Sequence, residues 1–180
     1  EKKVIAFATS AIREASNGQE FITKAKEATR IDVEMITGDR EAELIYYGVR
    51  DAVEMSDQAS LIIDIGGGST EFIIASKERV YWKQSFLLGA ARLLELFKPS
   101  DPIKEEEIRA VTAYLRTELT TLFNAIKQFP VTELIGSSGS FDSLAEMIAY
   151  KFYTPEILKD KTEYTFSLPD CAAIYGELMR

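Results

Sequence analysis

The stretch Asp64-Ile65-Gly66-Gly67-Gly68-Ser69-Thr70-Glu71-Phe72 joins two apolar segments and carries an acid near each end. Residues 60–65 read as a buried strand and residues 71–75 as the returning strand, so the glycines form the turn between them. Three successive glycines let successive backbone N–H groups face one anion, and Ser69 and Thr70 add hydroxyl donors. The pattern is neither a Walker loop nor a dinucleotide-binding fingerprint. It predicts a phosphate-binding hairpin flanked by two carboxylates, with a plain glycine-rich hairpin turn as the alternative.

Strand and helix patterns alternate on both sides of this hairpin. The elements predicted upstream are a strand over 3–9, a helix begun by a capping box of Asn17 and Glu20, a strand over 31–35 and a helix over about 39–55. Those predicted downstream are a third antiparallel strand over 80–88, a short helix to Phe97, one long helix over 104–129, a strand over 133–135, a further helix, a loop over 152–167 and a last helix from Pro169. This order predicts an α/β fold with a mixed sheet and helices on its faces.

Apolar residues at helical spacing mark the helix faces that we expect in the core. They are Phe21, Ala25 and Ala28 in the first helix, Ala42, Ile45, Val49 and Val53 in the second, and Ile108, Val111, Leu115, Leu119, Leu122 and Ile126 in the long one. The helix over 39–55 is also the expected connection between two lobes, since the sequence shows no clear linker.

The composition excludes several classes of site. The chain has 180 residues, 46% of them hydrophobic and 28% charged, which is typical of a globular protein. It has no histidine, which excludes histidine-dependent triads and zinc sites and leaves acid–base chemistry to carboxylates, Lys or Tyr. The single cysteine, Cys171, excludes an internal disulfide and fits a reducing cytoplasm. The net charge of −8 argues against a nucleic-acid partner, and no apolar run approaches the roughly 20 residues of a membrane helix.

Three further segments are candidate phosphate or catalytic sites. The run Gly136-Ser137-Ser138-Gly139-Ser140 leads from a strand into a helix, whose N-terminus favours anions; a flexible turn with a capping Ser is an equal alternative. Glu41 falls in the first turn of its helix, where an ionised carboxylate suits a general base, although acids there usually only stabilise the helix. The run 9–13 places Thr9, Ser10 and Arg13 between a strand and a helix, where they could bind phosphate oxygens or form a simple cap.

Together these segments resemble the exopolyphosphatase/guanosine-pentaphosphate phosphohydrolase (Ppx/GppA) family, a branch of the actin, Hsp70 and sugar-kinase superfamily. The resemblance rests on runs in family order, namely 8–15, 36–42, 44–49, 63–72, 88–93 and 136–140. It implies two ribonuclease-H-like lobes facing a cleft, with 1–55 ending the first lobe and 56–180 forming most of the second. The chain is therefore expected to be a fragment that lacks the opening of the first lobe.

The resemblance also implies roles for individual residues. Glu41 matches the family's catalytic glutamate, which activates water, and Asp64 and Glu71 match acids linked to a divalent cation such as Mg²⁺. The implied phosphate-binding residues are Thr9, Ser10, Arg13, Gly66, Gly67, Gly68, Ser69, Thr70, Gly136, Ser138 and Gly139. One departure stands out: the family often reads Glu-Glu-Ala-Arg where this chain has Arg40-Glu41-Ala42-Glu43.

The implied function is hydrolysis of phosphoanhydrides, with release of terminal phosphate from polyphosphate or guanosine pentaphosphate, the alarmone substrate of the stringent response. The expected setting is the cytoplasm, with no membrane partner and with a homodimer as one assembly left open. A bound cation would offset the electrostatic repulsion between a polyanionic substrate and a chain of net charge −8. Two alternatives remain: a non-catalytic binder of the alarmone or a nucleotide, and an ATPase like the sugar kinases or Hsp70.

Overall fold

The computed structural model describes residues 4–179, so Lys3 of the first predicted strand lies outside the described residues. The elements are, in order, β1 (Ala6–Ala8), α1 (Ser10–Arg13), α2 (Gly18–Thr29), β2 (Val33–Met35), α3 (Gly38–Ala52), β3 (Ser60–Ile65), β4 (Thr70–Ala75), β5 (Val80–Phe86), α4 (Ala90–Phe97), α5 (Glu105–Glu118), α6 (Thr120–Gln128), β6 (Glu133–Ser137), α7 (Gly139–Phe152), a 3₁₀ turn (Pro155–Leu158) and α8 (Leu168–Leu178). The predicted α/β class and mixed sheet are confirmed.

A four-stranded sheet in the order β5-β4-β3-β6 forms the centre of the structure. Strands β3, β4 and β5 form the predicted antiparallel meander, whereas β6 pairs with β3 in parallel. The carboxyl ends of β3 and β6 therefore meet at one edge, where the glycine loop follows β3 and α7 follows β6. A separate two-stranded parallel sheet pairs β1 with β2, and Ala8 lies opposite Met35.

Alternating side chains on the four strands pack against helices on both faces of this sheet. One face buries Ile62, Ile73 and Ala75 against Ala42, Tyr46 and Val49 of α3. The other face buries residues of three strands against α6, namely Leu61, Phe72, Ile74 and Phe86 against Leu122 and Ala125. Helix α3, predicted to connect two lobes, thus packs on the central sheet; the lobe limits themselves remain predictions.

Helix α2 begins directly after Asn17, as predicted, but its predicted capping box and apolar face are wrong. Asn17 has backbone angles of φ −105° and ψ 15° and makes no capping hydrogen bond, because its backbone is not in the extended conformation that aims an N-cap side chain at the helix. Glu20 pairs with Lys24 at 2.6 Å instead. Phe21 is 52% exposed, while Ile22, one position further around the helix, is buried. Helices α3 and α8 are capped by Thr37 and Ser167.

The long helix predicted over 104–129 is two helices, α5 and α6, that meet at Leu119. Leu119 has φ −85° and ψ 14°, which bends the path so that Leu122 and Ala125 can reach the sheet. The predicted strand over 133–135 extends to Ser137, and the predicted loop over 152–167 contains the 3₁₀ turn. No helix within residues 4–179 is long and apolar enough to cross a membrane.

Candidate active site

A row of four polar side chains crosses the sheet on the face that α3 covers. Ser85, Glu71, Asp64 and Ser137 are consecutive register partners on β5, β4, β3 and β6. Their neighbours two residues away on β3 and β4, Ile62 and Ile73, belong to the core under α3, so strand alternation places the polar row on the same face. The two acids that flank the glycine loop therefore lie side by side, as the sequence predicted.

Glu71 is the most enclosed acid of this row, with 2% of its surface exposed. The Ser85 hydroxyl donates to Glu71 Oε1 at 2.7 Å. Burial raises the pKa of Glu71; hydrogen bonds from Ser85 and Ser69 oppose the rise, and the charges of Glu41 and Asp64 add to it. Burial likewise raises the pKa of Asp64, and a hydrogen bond with Ser137 opposes that rise. Three carboxyl groups thus converge.

Glu41 lies in the first turn of α3, as predicted, and pairs with Arg13. The Nη1 atom of Arg13 lies 3.3 Å from Glu41 Oε2 and also donates to the carbonyl oxygen of Ile36 at 2.9 Å. Both side chains are only 17% exposed, so the ion pair is partly shielded from water. Arg13, which was expected to contact phosphate, is therefore held between the end of β2 and the base proposed from the sequence.

The helix that carries Glu41 fits tightly against β5. A Cβ atom at Gly38 would lie 2.5 Å from Ser85 Cβ, so only glycine allows this approach. Lys83 on β5 donates to the carbonyl oxygen of Asp39 at 2.9 Å. The contact fixes the first turn of α3, and with it Glu41, above the polar row.

The unusual neighbours of Glu41 pair with each other. Arg40 Nη1 lies 2.5 Å from Glu43 Oε2 on the outer side of α3, and this bond lowers the pKa of Glu43. The charges that distinguish this chain from the family pattern are thus paired away from Glu41. The salt bridge that does reach Glu41 comes from Arg13.

The glycine loop is oriented by hydrogen bonds from the start of α4. The carbonyl oxygens of Gly66, Gly67 and Gly68 accept from Ala90 N at 2.9 Å, from Arg92 N at 3.2 Å and from Arg92 Nε at 3.0 Å. In a trans peptide the N–H group points opposite to the preceding carbonyl. The amides of Gly67, Gly68 and Ser69 therefore point away from α4, and within the described chain none of them donates to a protein acceptor.

Close approach, rather than backbone conformation, explains glycine at positions 68 and 89. None of the glycines in the described range has a positive φ. A Cβ at Gly68 would lie 2.7 Å from Ser10 Oγ, and one at Gly89 would lie 2.3 Å from the Gly67 carbonyl. Thr70 adds a bond from its hydroxyl to the Leu88 carbonyl oxygen at 3.0 Å. The loop is thus held between α4 on one side and the start of α1 on the other.

Ser10 is the buried polar residue without a partner in this region. The residue is 3% exposed, and its Oγ atom has no hydrogen-bond partner among residues 4–179. A buried hydroxyl without a partner is costly, which indicates a group that a ligand or water completes. Thr9, the residue before it, makes no side-chain capping bond and is partly exposed. Of the two hydroxyl residues predicted from the run 9–13, Ser10 is the one that lies against Gly68 of the glycine loop.

The second predicted loop is shorter than expected, because Gly136 and Ser137 belong to β6. Gly136 leaves space for a neighbouring ring, since a Cβ there would lie 2.0 Å from Phe141 Cδ1. Ser138 has φ 74° and ψ 168°, a region that is nearly confined to glycine and costs about 1–3 kcal/mol for other residues. Its carbonyl oxygen accepts from Phe141 N at 3.0 Å and so starts α7. Gly139 faces open space.

The residues present fit a cation that is shared with phosphate, not a metal centre built from protein ligands alone. No group of three Asp, Glu, His or Cys side chains in the described part of the chain could hold a metal ion. Mg²⁺, however, is commonly held by one or two carboxylates together with phosphate oxygens and water. Asp64 and Glu71 supply such a pair in register on adjacent strands.

Two residues of this site carried no role in the sequence analysis: Ser85 and Arg92. Ser85 could not be found from strand alternation alone, because a bulge between Ile74 and Ala75 shifts the register of β4 and β5. Counted regularly from the Ala75–Val80 pair, Gln84 would lie opposite Glu71. Arg92 lies within a run that resembles the family, but only the folded loop reveals its carbonyl partners. An open depression of about 370 Å³ adjoins the Arg13 side of the site and is lined in part by Thr37, Gly38 and Ser85.

The chain matches the model of the Ppx/GppA phosphatase family over residues 1–165. An exopolyphosphatase from Cytophaga hutchinsonii is 44% identical, superposes with a TM-score of 0.92, and is matched over 99% of this chain and 57% of its own. A Ppx/GppA family member from Aquifex aeolicus is 31% identical with a TM-score of 0.68, over 86% of this chain and 49% of its own.

A bifunctional 3-dehydroquinate synthase/phosphatase from Fusobacterium nucleatum is 38% identical over 98 residues, which are 54% of this chain and 15% of that protein. The chain thus spans less than two thirds of each of these relatives. The family match itself covers most of the chain and includes the glycine loop, the polar row and Glu41. This protein belongs to the Ppx/GppA phosphatase family.

Proposed function

We propose that this chain carries the phosphate-binding and water-activating part of a phosphoanhydride hydrolase, which releases terminal phosphate from polyphosphate, guanosine pentaphosphate or both. The observation that carries the proposal is the buried Ser10 hydroxyl, which has no hydrogen-bond partner in the described part of the chain and lies against Gly68. The amides of Gly67, Gly68 and Ser69 likewise donate to no protein acceptor there. Family membership and a relative described as an exopolyphosphatase support the same reaction class.

In this reaction the terminal phosphoryl group binds to the amides of Gly67, Gly68 and Ser69, with Ser10 as a further donor. A water molecule attacks the terminal phosphorus, its proton passes to the carboxylate of Glu41, and the bridging P–O bond breaks to leave a shortened phosphate chain. Such transfer depends mostly on positioning and on stabilising charge. A divalent cation at Asp64 and Glu71 would neutralise charge on the phosphate oxygens.

Arg13 links the proposed base to the phosphate. Its Nη1 atom binds both the Glu41 carboxylate and the Ile36 carbonyl oxygen. The guanidinium has further N–H donors, which can bind a phosphate oxygen without releasing Glu41. Binding and base positioning are thereby combined in one side chain.

The test replaces Glu41 with Gln and uses Glu43→Gln as the matched control, two residues away on the same helix. We expect Glu41→Gln to lower kcat for phosphate release from tripolyphosphate by roughly 100-fold or more, as for other general bases. Glu43 pairs with Arg40 on the outer side, so its variant should keep nearly the wild-type rate. Equal rates for Glu41→Gln and wild type would exclude Glu41 as the base.

The non-catalytic alternative is supported by one feature, the existing ion pair between Glu41 and Arg13. It predicts that tripolyphosphate or guanosine tetraphosphate binds, measured by calorimetry, while no phosphate is released. The proposal also includes two ribonuclease-H-like lobes, with residues 1–55 in the first and 56–180 in the second. A cytoplasmic setting and a homodimer remain parts of it as well. Comparison of guanosine pentaphosphate with tripolyphosphate as substrates would define the specificity.

A further inference from the structure

Arg92 supplies two of the three hydrogen bonds that orient the glycine loop. Its backbone amide binds the Gly67 carbonyl oxygen at 3.2 Å, and its side-chain Nε binds the Gly68 carbonyl oxygen at 3.0 Å. The third bond, from Ala90 N, ends on Gly66. The Gly68 carbonyl and the Ser69 N–H belong to the same planar peptide group. The bond from the Arg92 side chain therefore fixes the orientation of that peptide.

We propose that Arg92 is a positioning residue for phosphate. By holding the Gly68–Ser69 peptide with its carbonyl toward α4, the guanidinium keeps the Ser69 amide aimed at the anion site. Without this bond the peptide can rotate and present its carbonyl oxygen to the phosphate, which repels it. The inference rests on the proposed function, and it assigns to Arg92 an effect on affinity that does not require contact with the ligand.

The packing around the loop indicates that Arg92 acts through a directed hydrogen bond and not only through its positive charge. A Cβ at Gly89 would overlap the Gly67 carbonyl, and one at Gly68 would overlap Ser10, so the loop has little room to shift as a body. What remains free is rotation of single peptides. The Nε donor belongs to a planar, rigid guanidinium, which a lysine ammonium does not reproduce. A lysine would keep the charge but lose the directed bond.

The test compares Arg92→Lys and Arg92→Gln with Arg109→Gln as the control for loss of an arginine. Arg109 is exposed and pairs with Glu105 on the outer side of α5, away from the loop. Affinity for tripolyphosphate is measured by calorimetry with and without Mg²⁺. The amide signals of Gly67, Gly68 and Ser69 are followed by NMR during the titration. Thermal melting of each variant reports whether it is folded.

We expect both Arg92 variants to weaken tripolyphosphate binding by roughly tenfold, the loss of one charge-assisted hydrogen bond, while Arg109→Gln binds like the wild type. The Ser69 amide should shift on titration in the wild type and much less in the Arg92 variants. Wild-type affinity in Arg92→Lys, with or without a defect in Arg92→Gln, would overturn the proposal, because charge alone would then suffice. If the glutamine variant does not fold, the lysine variant still decides.

Failure of this inference is distinguishable from failure of the proposed function. Tripolyphosphate binding without hydrolysis by the wild type would refute the hydrolase and leave the Arg92 comparison intact. Hydrolysis with equal affinity in wild type and both Arg92 variants would refute only the role of Arg92. Absence of any tripolyphosphate binding by the wild type would overturn both.

Discussion

Two adjacent glycines of the same loop should respond in opposite ways to the same substitution. A methyl group added at Gly68 would lie 2.7 Å from Ser10 Oγ and 3.1 Å from Ser10 Cβ, whereas one at Gly67 would meet Ala91 Cβ at 3.9 Å. Neither glycine has a positive φ, so backbone strain does not differ between them. The comparison of Gly68→Ala with Gly67→Ala therefore isolates the contact with Ser10.

The magnitude follows from the geometry. An ordinary contact of 3.4 Å requires a displacement of about 0.7 Å from the 2.7 Å position, against a residue that is 3% exposed. Such overpacking costs about 1–3 kcal/mol, and the loss of glycine freedom in the unfolded chain returns about 0.4–1 kcal/mol. Gly68→Ala should therefore lower the free energy of unfolding by about 1–2 kcal/mol. Gly67→Ala should leave it unchanged or raise it by up to about 1 kcal/mol.

The assay is denaturation of both variants and the wild type, by heat and by urea, followed by calorimetric titration with tripolyphosphate. For a chain of this length, about 1–2 kcal/mol corresponds to a decrease in Tm of roughly 2–8 °C. Gly68→Ala should also lose affinity, because Ser10 is pushed away from the loop. Equal Tm values for the two variants would refute the argument that close approach by Ser10, rather than conformational freedom, requires glycine at position 68.

Two other predictions concern stability. Glu107 accepts hydrogen bonds from Ser100 N, Ser100 Oγ and Lys104 N, and the Ser100 hydroxyl bond chiefly lowers its pKa to about 2. Because the folded pKa lies below the unfolded value of 4.5, the carboxylate stabilises the fold fully above pH 4.5 and progressively less as the pH falls toward 2. The urea midpoint of Glu107→Gln should therefore lie below that of the wild type at pH 7 and approach it near pH 2. The difference in midpoint between Glu106→Gln and the wild type should not change with pH in this way. A difference for Glu107→Gln that persists at low pH would contradict this prediction. Ser138→Gly should raise the free energy of unfolding by about 1 kcal/mol, since it relieves the backbone at φ 74°, and an unchanged urea midpoint would show that the position is unstrained.

Local patterns were sufficient to predict the central hairpin and the position of its two acids next to the glycine loop. Asp64 and Glu71 flank a short loop between two apolar strands, and strand alternation then forces both onto one face. Glu41 lies in the first turn of its helix, as predicted, because Thr37 caps α3, which begins at Gly38, one residue before the predicted start. These features depend on neighbours in sequence, so the sequence alone could specify them.

Errors arose where local preference competed with packing. Asn17 and Glu20 have the spacing of a capping box, but the chain enters α2 without the extended backbone that such a box requires. The apolar stripe over 104–129 continues smoothly in sequence, yet the chain bends at Leu119, and α6 lies on the sheet. Helical periodicity reports which side of a helix is apolar, and it does not report where the helix must change direction.

The sequence by itself determined that this chain has a glycine loop between two acids and a glutamate at the start of a helix, because each feature is a short run with its own backbone preference. Only the tertiary structure decided how these runs act together. The Ser10 hydroxyl meets Gly68 and Arg92 binds its carbonyl, although both lie far from it along the chain. A peptide in a loop can take two orientations of nearly equal local energy, which differ in whether its N–H or its carbonyl points to a given side. Donors that are distant in sequence bind the carbonyl on one side and so leave the N–H pointing toward the anion site.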